Sequence, residues 1–196
     1  MASVAFEHKF QQPGHKLNMG FNYTFDREDE KYFFTNSKPA FVAEESFFLI
    51  ADQKVLDFTL DYTKPMKHGL LETGVKFRRR TIPTDMQFNP SINNSVLDTG
   101  ADGKATYKET IPALYGNYTY EVKKLEAEIG LRIEYVNLQY DVDPNHNTYI
   151  SDGYDYFQPF PSARLTYKIN DRNKLSAFFN RRVDRPDEVM IRIFPK

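Results

Sequence analysis

The sequence has no cysteine, no tryptophan, almost no net charge and no long hydrophobic run. Without cysteine there is no thiol nucleophile, no thiolate zinc site and no cysteine-held iron–sulfur cluster. Lys and Arg number 26 against 27 Asp and Glu, and the isoelectric point is about 6.4. A dedicated DNA- or RNA-binding module needs a basic surface that this balance does not provide. The longest unbroken apolar stretch is Phe47–Ala51, far short of the roughly 20 residues of a membrane-crossing helix. Met1–Phe10 already alternates and carries Glu7, His8 and Lys9, so no secretory leader is expected. Mean hydropathy is −0.62. Taken alone, these absences describe a neutral, water-soluble domain, and 196 residues suffice for a buried core without staples.

What is present points elsewhere. In Leu125–Tyr135 the odd positions are Leu125, Ala127, Ile129, Leu131, Ile133 and Tyr135, and the even ones are Glu126, Glu128, Gly130, Arg132 and Glu134. A strict period of two gives a strand one apolar and one charged face. The same alternation runs through Leu17–Phe25, Leu56–Tyr62, Leu71–Phe77 and Leu165–Ile169. No segment carries a 3.6-residue apolar stripe. The chain is expected to be all-β.

Eight strands are expected, near 4–10, 15–28, 53–63, 70–81, 111–122, 125–140, 157–170 and 174–182. Several exceed the usual 5–6 residues. The connections alternate in length. Gln11–Gly14, Lys64–Gly69, Lys123–Lys124 and Asp171–Asn173 are tight, whereas 29–52, 83–110 and 141–156 are long, polar and expected to be loops. Short turns at one end and long loops at the other mark an antiparallel up-and-down transmembrane β-barrel, whose strands present an apolar band to lipid. Low hydropathy is then the average of a lipid-facing and a lumen-facing row. Tyr23, Phe25, Tyr62, Phe77, Tyr118, Tyr120, Tyr140, Phe157 and Phe160 fall near strand ends and are expected to form interfacial girdles. Alternation alone leaves the direction of the apolar face open, because a soluble lipocalin-like barrel reads the same way with that face inward.

The C-terminal third carries specific residues: Phe160-Pro161-Ser162, Leu165 and Tyr167, followed by Asn180-Arg181-Arg182-Val183-Asp184-Arg185-Pro186. This order resembles the "FPS-x-x-L-x-Y … S-Y-x-R-R-[IV]-x-R-P" pattern of TonB-dependent outer-membrane receptors, in the outer-membrane β-barrel family common in Bacteroidetes. Asp61–Pro65 with Leu71–Lys76, and Gly130-Leu131-Arg132-Ile133-Glu134-Tyr135, resemble the same family. The resemblance implies a 22-stranded barrel closed by a plug, importing a scarce ligand across the outer membrane with no enzymatic step and no cofactor. On that pattern residues 1–196 are a single β-barrel domain, expected to be a fragment without plug or TonB box. Its expected partners are outer-membrane lipid and the remainder of the receptor, with TonB reached only through the plug. A self-contained eight-stranded outer-membrane barrel with a structural or adhesive role is the alternative; it requires the first strand to pair with the last.

Other motifs compete for notice. Asp98-Thr99-Gly100 resembles the active-site loop of retroviral-type aspartic proteases, where two such aspartates meet in a homodimer. Its polar surroundings favour a turn. His8, His15, His68 and His146 have no metal-ligand spacing. Asp141, Asp143, Asn145 and Asn147 resemble half of a calcium loop that lacks its glycine and closing glutamate. Arg78-Arg79-Arg80 and Arg181-Arg182 are expected at loop-facing strand ends, as a charged collar or a contact for lipid phosphates. Glu126, Glu128, Arg132 and Glu134 are expected inside the barrel, meeting Arg164 and Lys168.

Overall fold

A computed structural model describes residues 1–38, 41–91, 102–146 and 150–183. Eight strands succeed one another: β1 (Ala2–Lys9), β2 (Lys16–Lys38), β3 (Phe41–Met66), β4 (Gly69–Asn89), β5 (Gly103–Val122), β6 (Leu125–Val142), β7 (Asp152–Asn170) and β8 (Asn173–Asn180). Each pairs antiparallel with the next, so the topology is up-and-down throughout. Among the described residues β1 pairs only with β2 and β8 only with β7, and the sheet is not closed. Among the described residues the first-to-last pairing that a self-contained eight-stranded barrel requires is not formed.

The tight turns fall where their residues place them. Gly14 adopts a φ of 78°, and the Asn170 carboxamide accepts from the backbone N–H groups of Arg172 (3.0 Å) and Asn173 (2.9 Å). The long connections do not behave as expected. Most of 29–52, half of 83–110 and both ends of 141–156 are strand, so β3 reaches 26 residues. The ladder continues because backbone pairing needs no apolar outer face, only a side on which side chains can pack. A proline does interrupt it: Asp52 and Gln53 are skipped in the β3–β4 ladder opposite Ile82 and Pro83, because Pro83 has no N–H to donate.

Register puts alternate residues of every strand on one of two faces. In the lower zone, towards the short turns, the outer face bears Leu17, Met19, Phe21, Tyr23 and Phe25 on β2, and Leu56, Phe58, Leu60 and Tyr62 on β3. It continues as Leu71, Val75 and Phe77, then Pro112, Leu114, Tyr118 and Tyr120, then Leu125–Tyr135 in odd steps, then Phe157–Ile169 in odd steps. No charged residue interrupts these outward positions. Many are well exposed, Ile129 at 65 % and Leu114 at 56 % among them. Of the expected girdle residues, Tyr140 and Phe160 turn the other way. Tyr140 is opposed by Tyr107 and Phe160 by Arg132, both on the inner face, because one residue of parity separates them from the lipid-facing row.

In the upper zone the faces exchange character with no slip of register. Inner positions there gain an apolar core beside the inward Glu28, Glu30, Glu45 and Glu109: Leu49, Met86, Ala105 and Val142 form one buried cluster against Phe47, Phe88 and Tyr140, and Ala51 and Ile82 form another against Tyr107. Stacked rings carry the cluster across strands, with Tyr32–Phe47 at 5.7 Å and Phe47–Phe88 at 4.6 Å between centroids. Most outer positions become polar or charged, with Phe33, Phe48 and Ile50 among the apolar exceptions, and the boundary runs between Phe25 and Arg27, Leu56 and Lys54, Phe77 and Arg79, Pro112 and Thr110, Tyr135 and Asn137, Phe157 and Asp155.

Candidate functional site: a charged inner wall

The inner face of the lower zone is built from the polar half of each alternation, and its charges are paired across strands. Arg78 on β4 lies 3.1 Å from Asp57 on β3, which Lys76 also approaches at 3.9 Å. Arg164 on β7 meets Glu128 at 2.6 Å and Glu126 at 3.1 Å on β6, and the Asn117 amide of β5 donates to Glu128 at 3.0 Å. Arg132 and Glu134, two residues apart on β6, pair at 2.6 Å with the glutamate almost fully buried. Lys168 reaches Glu121 at 2.9 Å. The expectation that Glu126 and Glu128 meet Arg164 holds; Lys168 chooses Glu121, and Arg132 pairs within its own strand.

One contact spans three strands. The Tyr115 hydroxyl on β5 donates to Asp61 on β3, passing over Gly74 of the strand between them. A Cβ on Gly74 would sit 2.6 Å from that hydroxyl and 2.5 Å from the Leu60 carbonyl, so only glycine leaves the path open. The Arg132 guanidinium stands 5.4 Å from the centre of the Tyr115 ring, a cation–π distance. Asp61, Tyr115, Arg132 and Glu134 thus form one continuous polar chain. Above it Arg80 pairs with the buried Glu109 at 3.3 Å and covers the Tyr107 ring at 5.5 Å, while Tyr107 donates to Glu109 at 3.1 Å. Burial, and then the Glu109 carboxylate beside it, pushes the Tyr107 phenol well above its ordinary value.

The residues singled out for family resemblance come together on neighbouring strands. Gly130 is opposite Ser162, Leu131 opposite Pro161, and Arg132 opposite Phe160, while Leu165 and Tyr167 face outward beside Ala127 and Leu125. A Cβ on Gly130 would meet the Ser162 hydroxyl at 2.6 Å and the Asn117 side-chain oxygen at 3.1 Å, so this row of the inner wall is closely packed. Arg181 extends the ladder one step past β8, its N–H donating to the Pro161 carbonyl at 3.1 Å, and Arg182 follows it. Because Pro161 directs its carbonyl towards β8, its nitrogen also lies on that side, and the ladder to β6 loses nothing. Arg185, Pro186, Asp98, Thr99, Gly100 and Asn147 lie outside the described residues.

The basic triplet is a correction. Arg78, Arg79 and Arg80 sit in the middle of β4 rather than at a loop-facing end, and parity divides them: Arg78 and Arg80 point inward to Asp57 and Glu109, and Arg79 points outward. His15 stacks on Phe10 at 3.9 Å and bonds the Tyr62 hydroxyl at 3.0 Å, as part of the lower rim. Asp143 accepts from the Asn145 N–H at 2.9 Å, an Asx turn. Among the described residues no three His, Asp or Glu side chains are grouped to hold a metal ion. The inversion of faces in the upper zone has no counterpart in the sequence reading, although Ile82, Thr84, Met86 and Phe88 alternating with Pro83, Asp85, Gln87 and Asn89 carry its signal.

Comparison with protein families matches residues 8–196 to the model of an outer membrane protein beta-barrel family. No curated protein matches the chain.

Proposed function

The chain therefore belongs to the outer membrane protein beta-barrel family and resides in the outer membrane, and from that premise we propose that it forms part of the barrel wall of a TonB-dependent receptor, acting in ligand uptake. The observation that carries the reading is a charged inner wall on a sheet whose two edges are unpaired among the described residues. Lipid cannot satisfy free backbone N–H and C=O groups. The edges at β1 and β8 therefore call for further strands, and the wide barrel that results has room for a plug against the Asp57, Arg132 and Arg164 surface. That wall holds charge-paired side chains and needs no reaction of its own. The self-contained barrel has no observation in its favour, since among the described residues the strand pairing it needs is not formed.

The test is the native protein. Antibody raised against residues 1–196 should recover from outer membranes a polypeptide containing plug and additional strands, and deleting the coding segment should abolish energised uptake of that receptor's ligand. A 23.0 kDa chain recovered alone as a closed barrel, whose deletion leaves uptake intact, would defeat the proposal. Expressed by itself, the segment should require detergent, because open edges template aggregation in water.

A further inference from the structure

The boundary between the two zones holds an imbalance of charge on the outer face. Four outward cations at or above that line each have a carboxylate beside them. Arg27 lies 3.6 Å from Asp52, Lys31 3.9 Å from Asp29, Lys104 3.6 Å from Asp85 and Lys108 2.5 Å from Asp141. Lys54 on β3 and Arg79 on β4 are both exposed, and among the described residues neither has an ion-pair partner. They are also neighbours. Lys54 is directly opposite Thr81 and Arg79 directly opposite Leu56, so the two cations are diagonal on adjacent strands, roughly 7–8 Å apart at their backbones.

Their level is set by the residues beneath them. Phe25, Leu56 and Phe77 end the lower apolar row of β2, β3 and β4, and Lys54 and Arg79 are the first charged outward positions directly above it on β3 and β4. Thr81 and Thr110 share the face, Thr110 opposite Arg79, and supply hydroxyls at the same height. The short turns place this boundary at the external side, since outer-membrane barrels keep their short turns periplasmic. Two cations above an apolar and aromatic ledge match a lipid whose phosphate lies at the interface and whose acyl chains descend along the wall. The nearest outward carboxylate, Asp52, is already engaged by Arg27, which leaves the pair with an excess positive charge.

We propose that Lys54 and Arg79 form a docking point for the phosphate group of an outer-leaflet lipid, with Phe25, Leu56 and Phe77 receiving its acyl chains. The site distinguishes two orders of contact around the wall: where charges are paired the belt is neutral to lipid, and here it is selective for anionic headgroups.

Native mass spectrometry of the detergent-solubilised protein, titrated with phosphatidylglycerol or phosphatidylcholine, tests this. The first phosphatidylglycerol should bind more tightly than phosphatidylcholine. Lys54→Gln and Arg79→Gln should each weaken it about fivefold, from the usual contribution of one cation near an anionic lipid, while Lys104→Gln leaves it unchanged. Unchanged phosphatidylglycerol affinity in the double variant would overturn the proposal, as would an equal loss towards phosphatidylcholine. Displacement of the lipid by millimolar inorganic phosphate would also overturn it, making the ligand a free anion. Wild-type protein supplies a check that needs no variant: the preference should decline as ammonium acetate is raised, and a preference indifferent to salt refutes it.

Discussion

The lower and upper zones are made by the same strands, in the same register, with opposite polarity. Below the boundary β4 turns Leu71, Val75 and Phe77 outward and Glu72, Lys76 and Arg78 inward; above it Ile82, Met86 and Phe88 turn inward and Asp85, Gln87 and Asn89 outward. β5 and β6 invert at the same level, where Arg79, Thr110, Asn137 and Asp155 stand in one row. A sheet does not dictate which of its faces is apolar; the surrounding solvent does. Where lipid lies outside, the apolar row faces out and the polar row must find partners within. Where water lies outside, the ordinary arrangement of a soluble sheet returns and the wall acquires a core.

That contrast can be broken by a single side chain. Ile82 is fully buried in the upper core, and Ile82→Ala should cost about 2–5 kcal/mol through the cavity it leaves. Val75→Ala on the outer face of the same strand should cost well under that, because lipid fills the space. Hydrogen exchange of upper-zone amides, read beside urea unfolding in vesicles, reports both, and equal losses would show that the two zones share one solvent.

A charge placed on the outer face tests the same boundary from the other side. Ile129→Arg, in the middle of the apolar row of β6, should cost about 2–4 kcal/mol, while Gln139→Arg on the outer face of the same strand above the boundary should cost almost nothing. Equal effects at the two positions would remove the lipid from the account of the lower zone.

The smallest effect concerns Tyr107, inside the upper zone. Its phenol is held neutral by burial and by Glu109, so the folded value lies above the ordinary one of about 10. The stability that goes with keeping it protonated is fully present below about pH 10 and is lost as pH rises from there through the folded value. Subtracting the alkaline titration of Tyr107→Phe from that of the wild type should leave a phenolate transition above the ordinary range. A transition at the ordinary value would mean that the upper core is open to water.

How far the sequence foretells all this differs by zone for a physical reason. Leu125–Tyr135 announces its strand, its phase and its inner charges because every second residue agrees, and the Arg164 pairing follows from parity on adjacent strands. The upper wall is obscured twice. Phe47–Ala51 is apolar on both phases, which hides the period, and Pro83, Asp85, Gln87 and Asn89 resemble loop composition although they form only the water-facing row. The Tyr115–Asp61 contact is hidden for another reason: its ends are 54 residues apart and it bridges a strand that neither belongs to, made possible by the missing side chain of Gly74. Arg79 could be separated from Arg78 and Arg80 only once the direction of the apolar face was known.

The height of the upper zone has its own meaning. Residues 27–38 of β2 continue beyond the boundary as paired strand, roughly 40 Å along the chain at 3.3 Å per residue, or about 30 Å above the bilayer at a typical barrel tilt. The parapet is as tall as the hydrocarbon core is thick. A molecule arriving from outside meets a stiff rim well clear of the headgroups, and its first encounter is with protein, in water, at a distance where the membrane beneath exerts no pull on it.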